Sequence, residues 1–368
     1  MKRDPFAAIP GGGSHARGPS GRPAGWWAAE CAAVALFASS PAAAQPAPPV
    51  FDLTELAPGV YAATVRPNPP MYVFANSLIV IGADGVLVVD AQASAAASRA
   101  LLAQLAAVTP LPVTHVVNTH WHTDHTAGNA AFVDANPDVT IVATEATAEA
   151  MATSGRAAYQ ADIDTLPASA ERRRAWAAEG RGPDGRELGA AAIESLRRSA
   201  DLREAQARGL AATPYTLPHL TFRESLRIDL GGRRVEVRAL GPAHTTGDAV
   251  VWLADERILA AGDLLEDAFP WIDADTDVAG WARALAHLEG LDPAVVLPAH
   301  GTVHRGRGFL RANADLLAAI VDAALTAENA AVDPHDHRYF AGLGVSADAF
   351  RAAFAAAVAR TRGAHDGS

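Results

Sequence analysis

The sequence predicts a layered α/β fold, and three observations support this prediction. The chain has 368 residues, half of them apolar and only 19% charged, which is enough for a sizeable hydrophobic core. Short apolar runs bounded by Gly, Asp and Pro are typical of strands. Stretches with helical spacing separate several of these runs, and such alternation is typical of a layered α/β domain.

The first part of the predicted domain alternates strands with helices. Strands are predicted at 59–65, 76–81 and 85–90, a helix at 93–107, a strand at 113–120, a helix from about Thr126 and a strand at 139–144. The motif that carries the chemistry lies at the end of the fifth of these segments.

A helical insert, residues 146–213, then interrupts the alternation. It is rich in Ala, Arg and Glu, and we expect Pro167 and the turn at 180–185 to separate two helical halves. A packed structural excursion and a lid that shapes access to a site are both compatible with such a long connection.

The strand pattern returns after the insert. Residues 220–229 and 234–240 predict a hairpin around the Gly231-Gly232 turn. Further elements are predicted in this order: strands at 249–254 and 258–261, a helix at 279–289, a strand at 294–297, and helices from about Leu310 and Ala347. We divide the chain into a signal peptide (1–44), a main domain (45–330) and a C-terminal helical tail (331–368).

The N-terminal segment has the order of a secretory signal peptide. A basic region precedes the apolar run 26–38, and Ala42-x-Ala44 provides a small-residue cleavage site. We therefore expect a periplasmic or secreted protein, although Glu30 within the apolar run leaves a cytosolic tail as the alternative. The single cysteine, Cys31, lies in the segment that would be removed, so the mature chain offers no thiolate.

The overall charge limits the classes of partner. The formal net charge is −11, which argues against nucleic acid or an anionic membrane. No apolar run in the main domain approaches the roughly 20 residues that cross a bilayer. We expect a small-molecule substrate, no nucleic acid and no integral membrane segment, while the oligomeric state stays open.

The segment His120-Trp-His122-Thr-Asp124-His125 carries the strongest chemical signal. Four side chains that can bind metal fall within six residues at a junction between a strand and a helix. Alternation on an extended segment directs His120 and His122 to the same side. The start of a helix turns Asp124 and His125 toward a second position, so the spacing suits two metals.

Three more ligand candidates end apolar runs farther along the chain. They are His244, Asp263 and His300. Loops at strand ends are where α/β proteins place their functional side chains. Tyr72, Asn76, His304 and Arg305 are weaker candidates for residues that line the pocket or contact a substrate.

This ordered set of motifs resembles the metallo-β-lactamase superfamily across roughly Val50 to Arg305. The resemblance implies a four-layer αββα sandwich with the helical insert, and a pair of zinc ions, with other divalent metals as the alternative. It places one metal on His120, His122 and His244, the other on Asp124, His125 and His300, and Asp263 between them. It also implies that Asp90 supports the metal site from behind the ligands, with a simple turn residue as the alternative.

The residue types at positions 263 and 122 indicate which branches of the superfamily the chain resembles most. An aspartate at position 263 looks like hydroxyacylglutathione hydrolase and the lactonases, whereas zinc β-lactamases usually carry Cys or Ser there. The flavodiiron branch has Glu where His122 stands, so the imidazole favours zinc over a pair of irons.

We therefore expect a hydrolase that uses a zinc-bound hydroxide to cleave a small ester, thioester, lactone or amide, with Asp124 and Asp263 as catalytic carboxylates. No Gly-x-Ser-x-Gly motif supports a serine nucleophile. The alternatives are an antibiotic hydrolase of the β-lactamase type and a binding or redox protein that keeps the metal pair without hydrolysis.

Overall fold

The computed structural model describes residues 50–326, other than 68, 70, 72 and 74, together with residues 346–366. The predicted signal peptide, the boundary near residue 330 and Tyr72 lie outside the described residues. No helix within the described ranges is long and apolar enough to span a bilayer.

Seven strands form the first sheet. In spatial and chain order they are β1 (Phe51–Ala57), β2 (Val60–Val65), β3 (Ser77–Ile81), β4 (Val86–Val89), β5 (Val113–Val117), β6 (Thr140–Thr144) and β7 (Leu220–Phe222). The pairs from β1 to β4 are antiparallel, and those from β4 to β7 are parallel.

Six strands form the second sheet. They are β8 (Ser225–Asp229), β9 (Arg234–Ala239), β10 (Ala249–Leu253), β11 (Ile258–Ala260), β12 (Val295–Leu297) and β13 (His304–Arg305), in the spatial order β13-β12-β11-β10-β9-β8. The prediction of one strand over 220–229 is wrong. The chain leaves the first sheet after Phe222 and enters the second at Ser225, so the two halves of this run pair with different neighbours.

Helices cover the outer faces of both sheets, and further helices form the insert and one turn of the loop after β5. In chain order the helices are α1 (Ala95–Leu105), α2 (Thr123–Thr126), α3 (Asn129–Ala135), α4 (Glu145–Ala150), α5 (Arg156–Glu179), α6 (Ala190–Ala211), α7 (Val278–Glu289), α8 (Gly308–Leu325) and α9 (Ala347–Asp366). A π-helical turn (Met151–Gly155) joins α4 to α5, and a 3-10 turn (Gly262–Leu264) follows β11.

The period of two along each strand sorts apolar side chains into the layers. In β4, Leu87 and Val89 face the core between the sheets, while Val86 and Val88 pack beneath α1. In β10, Val251 belongs to the core between the sheets. Strands buried on both faces read as continuous apolar runs, as these do. The four-layer αββα prediction is confirmed.

The C-terminal helix α9 completes the outer layer of the second sheet. Phe350 and Phe354 of α9 are buried in the same apolar cluster as Leu316 and Ile320 of α8 and Trp281 of α7. This helix therefore belongs to the packed core of the described structure.

The insert is a helical hairpin of α5 and α6. Arg174 of α5 pairs with Asp201 and Glu204 of α6, and the left-handed Gly180 ends α5. The prediction that Pro167 separates two helical halves is wrong, because Pro167 lies inside α5. A proline in a helix interior costs about 3 kcal/mol. The helix nevertheless continues through Pro167, and Ala170 and Ala177 farther along it are buried.

Candidate metal centre

The loop after β5 carries the first group of predicted site residues. The strand ends at Val117, and the four-residue helix α2 starts at Thr123. His120 and His125 are completely buried, whereas His122 and Asp124 are partly exposed. A short extended segment followed by a helical turn thus directs all four side chains toward one region.

Three histidines form the first ligand group. His122 Nδ1 lies 3.0 Å from His120 Nε2 and 3.2 Å from His244 Nε2. His244 comes from the connection between β9 and β10, and its ring packs edge-on against buried Trp281. Two different parts of the chain therefore supply this group.

Asp124, His125 and His300 form the second ligand group. Asp124 Oδ2 lies 3.3 Å from His125 Nε2 and 3.3 Å from His300 Nε2. His300 follows β12, which runs parallel to β11, the strand that leads to Asp263. The strand order of the second sheet thus places these two loops side by side.

Asp263 lies between the two groups and faces both. Its Oδ2 is 3.4 Å from His120 Nε2 and 3.5 Å from His244 Nε2. Its Oδ1 is 3.2 Å from both His125 Nε2 and His300 Nε2. Each carboxylate oxygen is therefore directed at a different ligand group.

These spacings fit metal coordination. A tetrahedral ion with bonds of about 2.0–2.1 Å separates its ligand atoms by about 3.3 Å, close to the distances above. His125 Nε2 and Asp263 Oδ1 are buried and make no hydrogen bond with any described residue. Buried polar atoms are normally hydrogen-bonded, so a cation is the partner that this donor set fits. Both groups could hold a metal ion.

The histidines of the two ligand groups differ in pKa. Burial lowers the pKa of His120 and of His244 to about 3, so both rings are neutral at pH 7 and keep a lone pair for a metal. Burial also opposes charge on His300, but Asp263 and Asp124 raise its pKa to about 11. In the absence of a cation, the second group therefore holds a proton that a metal ion would displace.

Asp90 connects with one histidine of each group. Its Oδ1 accepts the Thr119 amide at 2.8 Å, and its Oδ2 accepts the Thr119 hydroxyl at 2.9 Å and lies 2.9 Å from His125 Nδ1. Since this hydroxyl donates to Asp90, it accepts from His120 Nδ1 at 3.1 Å. Each ring therefore has a hydrogen-bond acceptor at Nδ1, which favours the tautomer whose Nε2 lone pair can bind a metal.

Asp267 holds the loop that carries His300, a contact that the sequence did not predict. Asp267 Oδ2 accepts the amide and the hydroxyl of Thr302, and its backbone amide donates to the His300 carbonyl. His304 Nε2 lies 2.6 Å from Asp267 Oδ1 and its ring stacks on Phe309. Asp267 precedes the loop that carries His300 by more than thirty residues, so its position in the sequence does not indicate this contact.

Asn76 and the insert contact the same region. Asn76 donates to the carbonyls of Pro298 and Gly301, one on each side of His300. Thr123, beside Asp124, donates its hydroxyl to Asp162 of α5 at 3.0 Å. The structure therefore places Asn76 behind the site, where it holds a loop, and brings the insert against the ligand-bearing segment.

The chain is similar to known proteins in both sequence and fold. Residues 72–300, more than half of the chain, match the model of the metallo-beta-lactamase superfamily. The chain belongs to the metallo-beta-lactamase superfamily. A solved metallo-beta-lactamase from Pontibacter korlensis has 22% identity and a TM-score of 0.50, covering 73% of this chain and 99% of that chain. This likeness shows the fold that the two share.

Two curated members of the superfamily are similar in sequence. The linear primary-alkylsulfatase of a Pseudomonas species is 25% identical over 267 residues, 69% of this chain and 47% of that protein. The type 2 metallo-beta-lactamase of Bacteroides fragilis is 33% identical over 90 residues, 23% of this chain and 36% of that protein. The chain thus spans less than half the length of either relative.

Proposed function

We propose that this superfamily member is a dinuclear zinc hydrolase that cleaves a small ester, thioester, lactone or amide. His120, His122 and His244 would hold one zinc ion, and Asp124, His125 and His300 the other. The observation that carries the proposal is the position of Asp263, whose two oxygens lie within 3.2–3.5 Å of ligand atoms in both groups. A carboxylate placed in this way suits a bridge between two ions.

The donor set favours zinc among the common metals. Five imidazoles and two carboxylates provide nitrogen and oxygen ligands, whereas Ca²⁺ and Mg²⁺ prefer oxygen alone. When bound, the two zinc ions would supply a water molecule of lowered pKa and a Lewis acid for the scissile group. Both effects would accelerate the hydrolysis of an acyl compound.

The protein's own residues set the protonation and charge of the centre. Asp90 and Thr119 hold His125 and His120 in the tautomers that leave Nε2 unprotonated. Asp124 and Asp263 offset two of the four positive charges that two zinc ions bring, so the centre keeps a net positive charge toward an electron-rich oxygen of the substrate. Both carboxylates lie at the reacting region.

A hydrolysis panel tests this proposal. Zinc-loaded protein should hydrolyse at least one chromogenic ester, thioester, lactone or amide, and dialysis against a chelator should abolish the activity until zinc is returned. His122→Ala should reduce turnover by at least about 100-fold, because it removes a ligand of one metal. Two bound zinc ions with no hydrolysis of any compound would favour the binding or redox alternative.

Sulfate-ester hydrolysis is the second candidate, because the longest of the sequence matches reported above is to an alkylsulfatase. Dodecyl sulfate therefore belongs in the panel, with sulfate release as the readout. A chromogenic β-lactam tests the antibiotic-hydrolase alternative, which the aspartate at position 263 makes less favoured.

We also propose that the protein is exported. The support is the order of basic, apolar and small residues before Gln45. Protein recovered from a periplasmic extract should begin at Gln45 when its N-terminus is sequenced. An intact Met1 in that fraction would contradict export with cleavage.

A further inference from the structure

An irregular loop, residues 265–277, runs along one side of the metal centre. It begins directly after the 3-10 turn that carries Asp263 and ends where α7 starts at Val278. Hydrogen bonds tie it to ligand-bearing segments at both ends. The Asp267 amide donates to the His300 carbonyl at 2.9 Å, and the Thr276 hydroxyl donates to the His244 carbonyl at 2.9 Å.

The same loop also contacts the first ligand group. Trp121 Nε1 donates to Asp275 Oδ2 at 3.1 Å, and the Trp121 ring lies edge-on to the His122 ring with centroids 4.4 Å apart. The 265–277 loop therefore connects the His300 side of the centre with its His122 and His244 side. A substrate bound at the two metals would therefore lie next to the 265–277 loop.

The residues that flank position 271 are anchored in the protein core. Ile272 is buried, and its carbonyl accepts a hydrogen bond from Arg360 of α9 at 2.6 Å. Phe269 packs edge-on against Phe350 of the same helix. Helix α9 thus braces the middle of the loop from behind.

Trp271 itself projects into solvent. It is 61% exposed, although its amide donates to Glu266 Oε1 at 3.0 Å and its indole Nε1 donates to Asp273 Oδ2 at 3.2 Å. Glu266 forms a β-bridge with His300, so the backbone at Trp271 is two contacts away from a ligand residue. Anchored neighbours and a bonded ring edge leave a large apolar surface presented in a fixed orientation.

We propose that Trp271 is a specificity-determining residue that receives an apolar part of the substrate. This inference rests on the proposed function and names the group that the substrate carries beyond its scissile bond. Covering an exposed indole face removes apolar surface from water, so a chain or ring bound beside the metals would gain free energy by packing on Trp271.

The carboxylate of Asp273 lies at the edge of the Trp271 ring, where its Oδ2 accepts the indole Nε1–H. Arg360 is a cation that contacts this part of the loop, and its guanidinium donates to the Ile272 carbonyl. A negatively charged group beside Asp273 would be repelled, whereas an alkyl or aryl group would not.

Binding of two hydroxamates tests the inference without requiring turnover. Acetohydroxamate and octanohydroxamate share a head group that chelates zinc and differ only in their apolar chain. Calorimetry should show that zinc-loaded wild type binds octanohydroxamate about tenfold more tightly. A fully buried methylene is worth about fourfold, and an open indole face covers the chain on one side only.

Three variants test whether the preference for octanohydroxamate depends on the Trp271 ring or changes with any substitution. In Trp271→Ala the preference should fall below about threefold, and in Trp271→Phe most of it should remain. Val108→Ala is the matched control, since Val108 is also exposed but lies between α1 and β5, away from the ligand loops. The Val108→Ala variant should prefer octanohydroxamate to the same extent as wild type.

The outcomes distinguish this inference from the proposed function. An unchanged preference in Trp271→Ala, or no preference in wild type, would overturn the inference even if the enzyme hydrolyses esters. Failure to hydrolyse any compound of the panel, with the preference intact and dependent on Trp271, would overturn the proposed reaction alone.

Discussion

Replacing Asp90 with asparagine should change the tautomer of a metal ligand without changing the size of the side chain. The carboxylate accepts three hydrogen bonds from Thr119 and His125, at 2.8–2.9 Å. An amide offers one oxygen and one NH₂ group. The oxygen would keep the bond to the Thr119 amide, because that backbone donor cannot reverse its role.

The NH₂ group would then face His125 Nδ1. The ring could accept that hydrogen bond only by moving its proton to Nε2, the atom 3.2 Å from Asp263 Oδ1 and 3.3 Å from Asp124 Oδ2. A protonated Nε2 cannot bind a metal. Asp90→Asn should therefore weaken zinc binding mainly at the Asp124, His125, His300 group.

The size of the effect follows from the contacts. Loss of a hydrogen-bonding partner to a metal-binding histidine typically weakens metal affinity 10- to 100-fold, about 1.4–2.7 kcal/mol. Asp90 is almost fully buried, so a mismatched donor there should lower the free energy of unfolding of the metal-free protein by about 1–3 kcal/mol.

Competition with a chromophoric zinc chelator, together with zinc per chain after dialysis, measures the first effect. Thermal unfolding of the metal-free protein measures the second. Asp138→Asn is the control, because Asp138 is exposed in the connection that precedes β6. Two zinc ions bound with wild-type affinity in Asp90→Asn would refute the tautomer argument.

Three further predictions concern the bridge, the His300 loop and the insert. Asp263→Asn should lower the affinity for both zinc ions and reduce activity more than thermal stability, since it removes the charge that faces both groups; near-native turnover with two zinc ions would mean that Asp263 is not the bridge. Asp267→Ala should reduce zinc from two ions toward one per chain, because it frees Thr302 beside His300, and unchanged zinc content would rule out a positioning role. Shortening the hairpin by replacing 168–202 with a short Gly-Ser turn should alter substrate preference across the ester panel more than zinc content, since α5 contacts Thr123; identical relative rates would show that the insert does not shape access.

The sequence predicted the fold class because strand periodicity is a local property. Val86 to Val89 form a short, continuous apolar run, which indicates a strand buried on both faces without any knowledge of its neighbours. Local alternation likewise predicts a single strand over 220–229. Nothing in its alternation records that β7 and β8 pair in different sheets, because that choice depends on strands distant in the chain.

At Pro167 the local sequence predicts a break in a helix that the structure does not show. The local effect of Pro167 on a helix is unfavourable, and the sequence alone therefore predicted a break. The packing of α5 against α6 supplies contacts that a single helix lacks, and the helix continues through the proline. Tertiary contacts outweighed a local preference.

The sequence by itself determined which side chains are available for metal binding, since four of them form one compact motif and the other three end apolar runs. Only the tertiary structure decided the distances that separate them. The parallel pairing of β11 with β12 brings Asp263 beside His300, and the parallel pairing of β4 with β5 brings Asp90 beside Thr119 and His125. Distances between residues far apart in the chain depend on strand order and loop packing, and neither is encoded by local spacing.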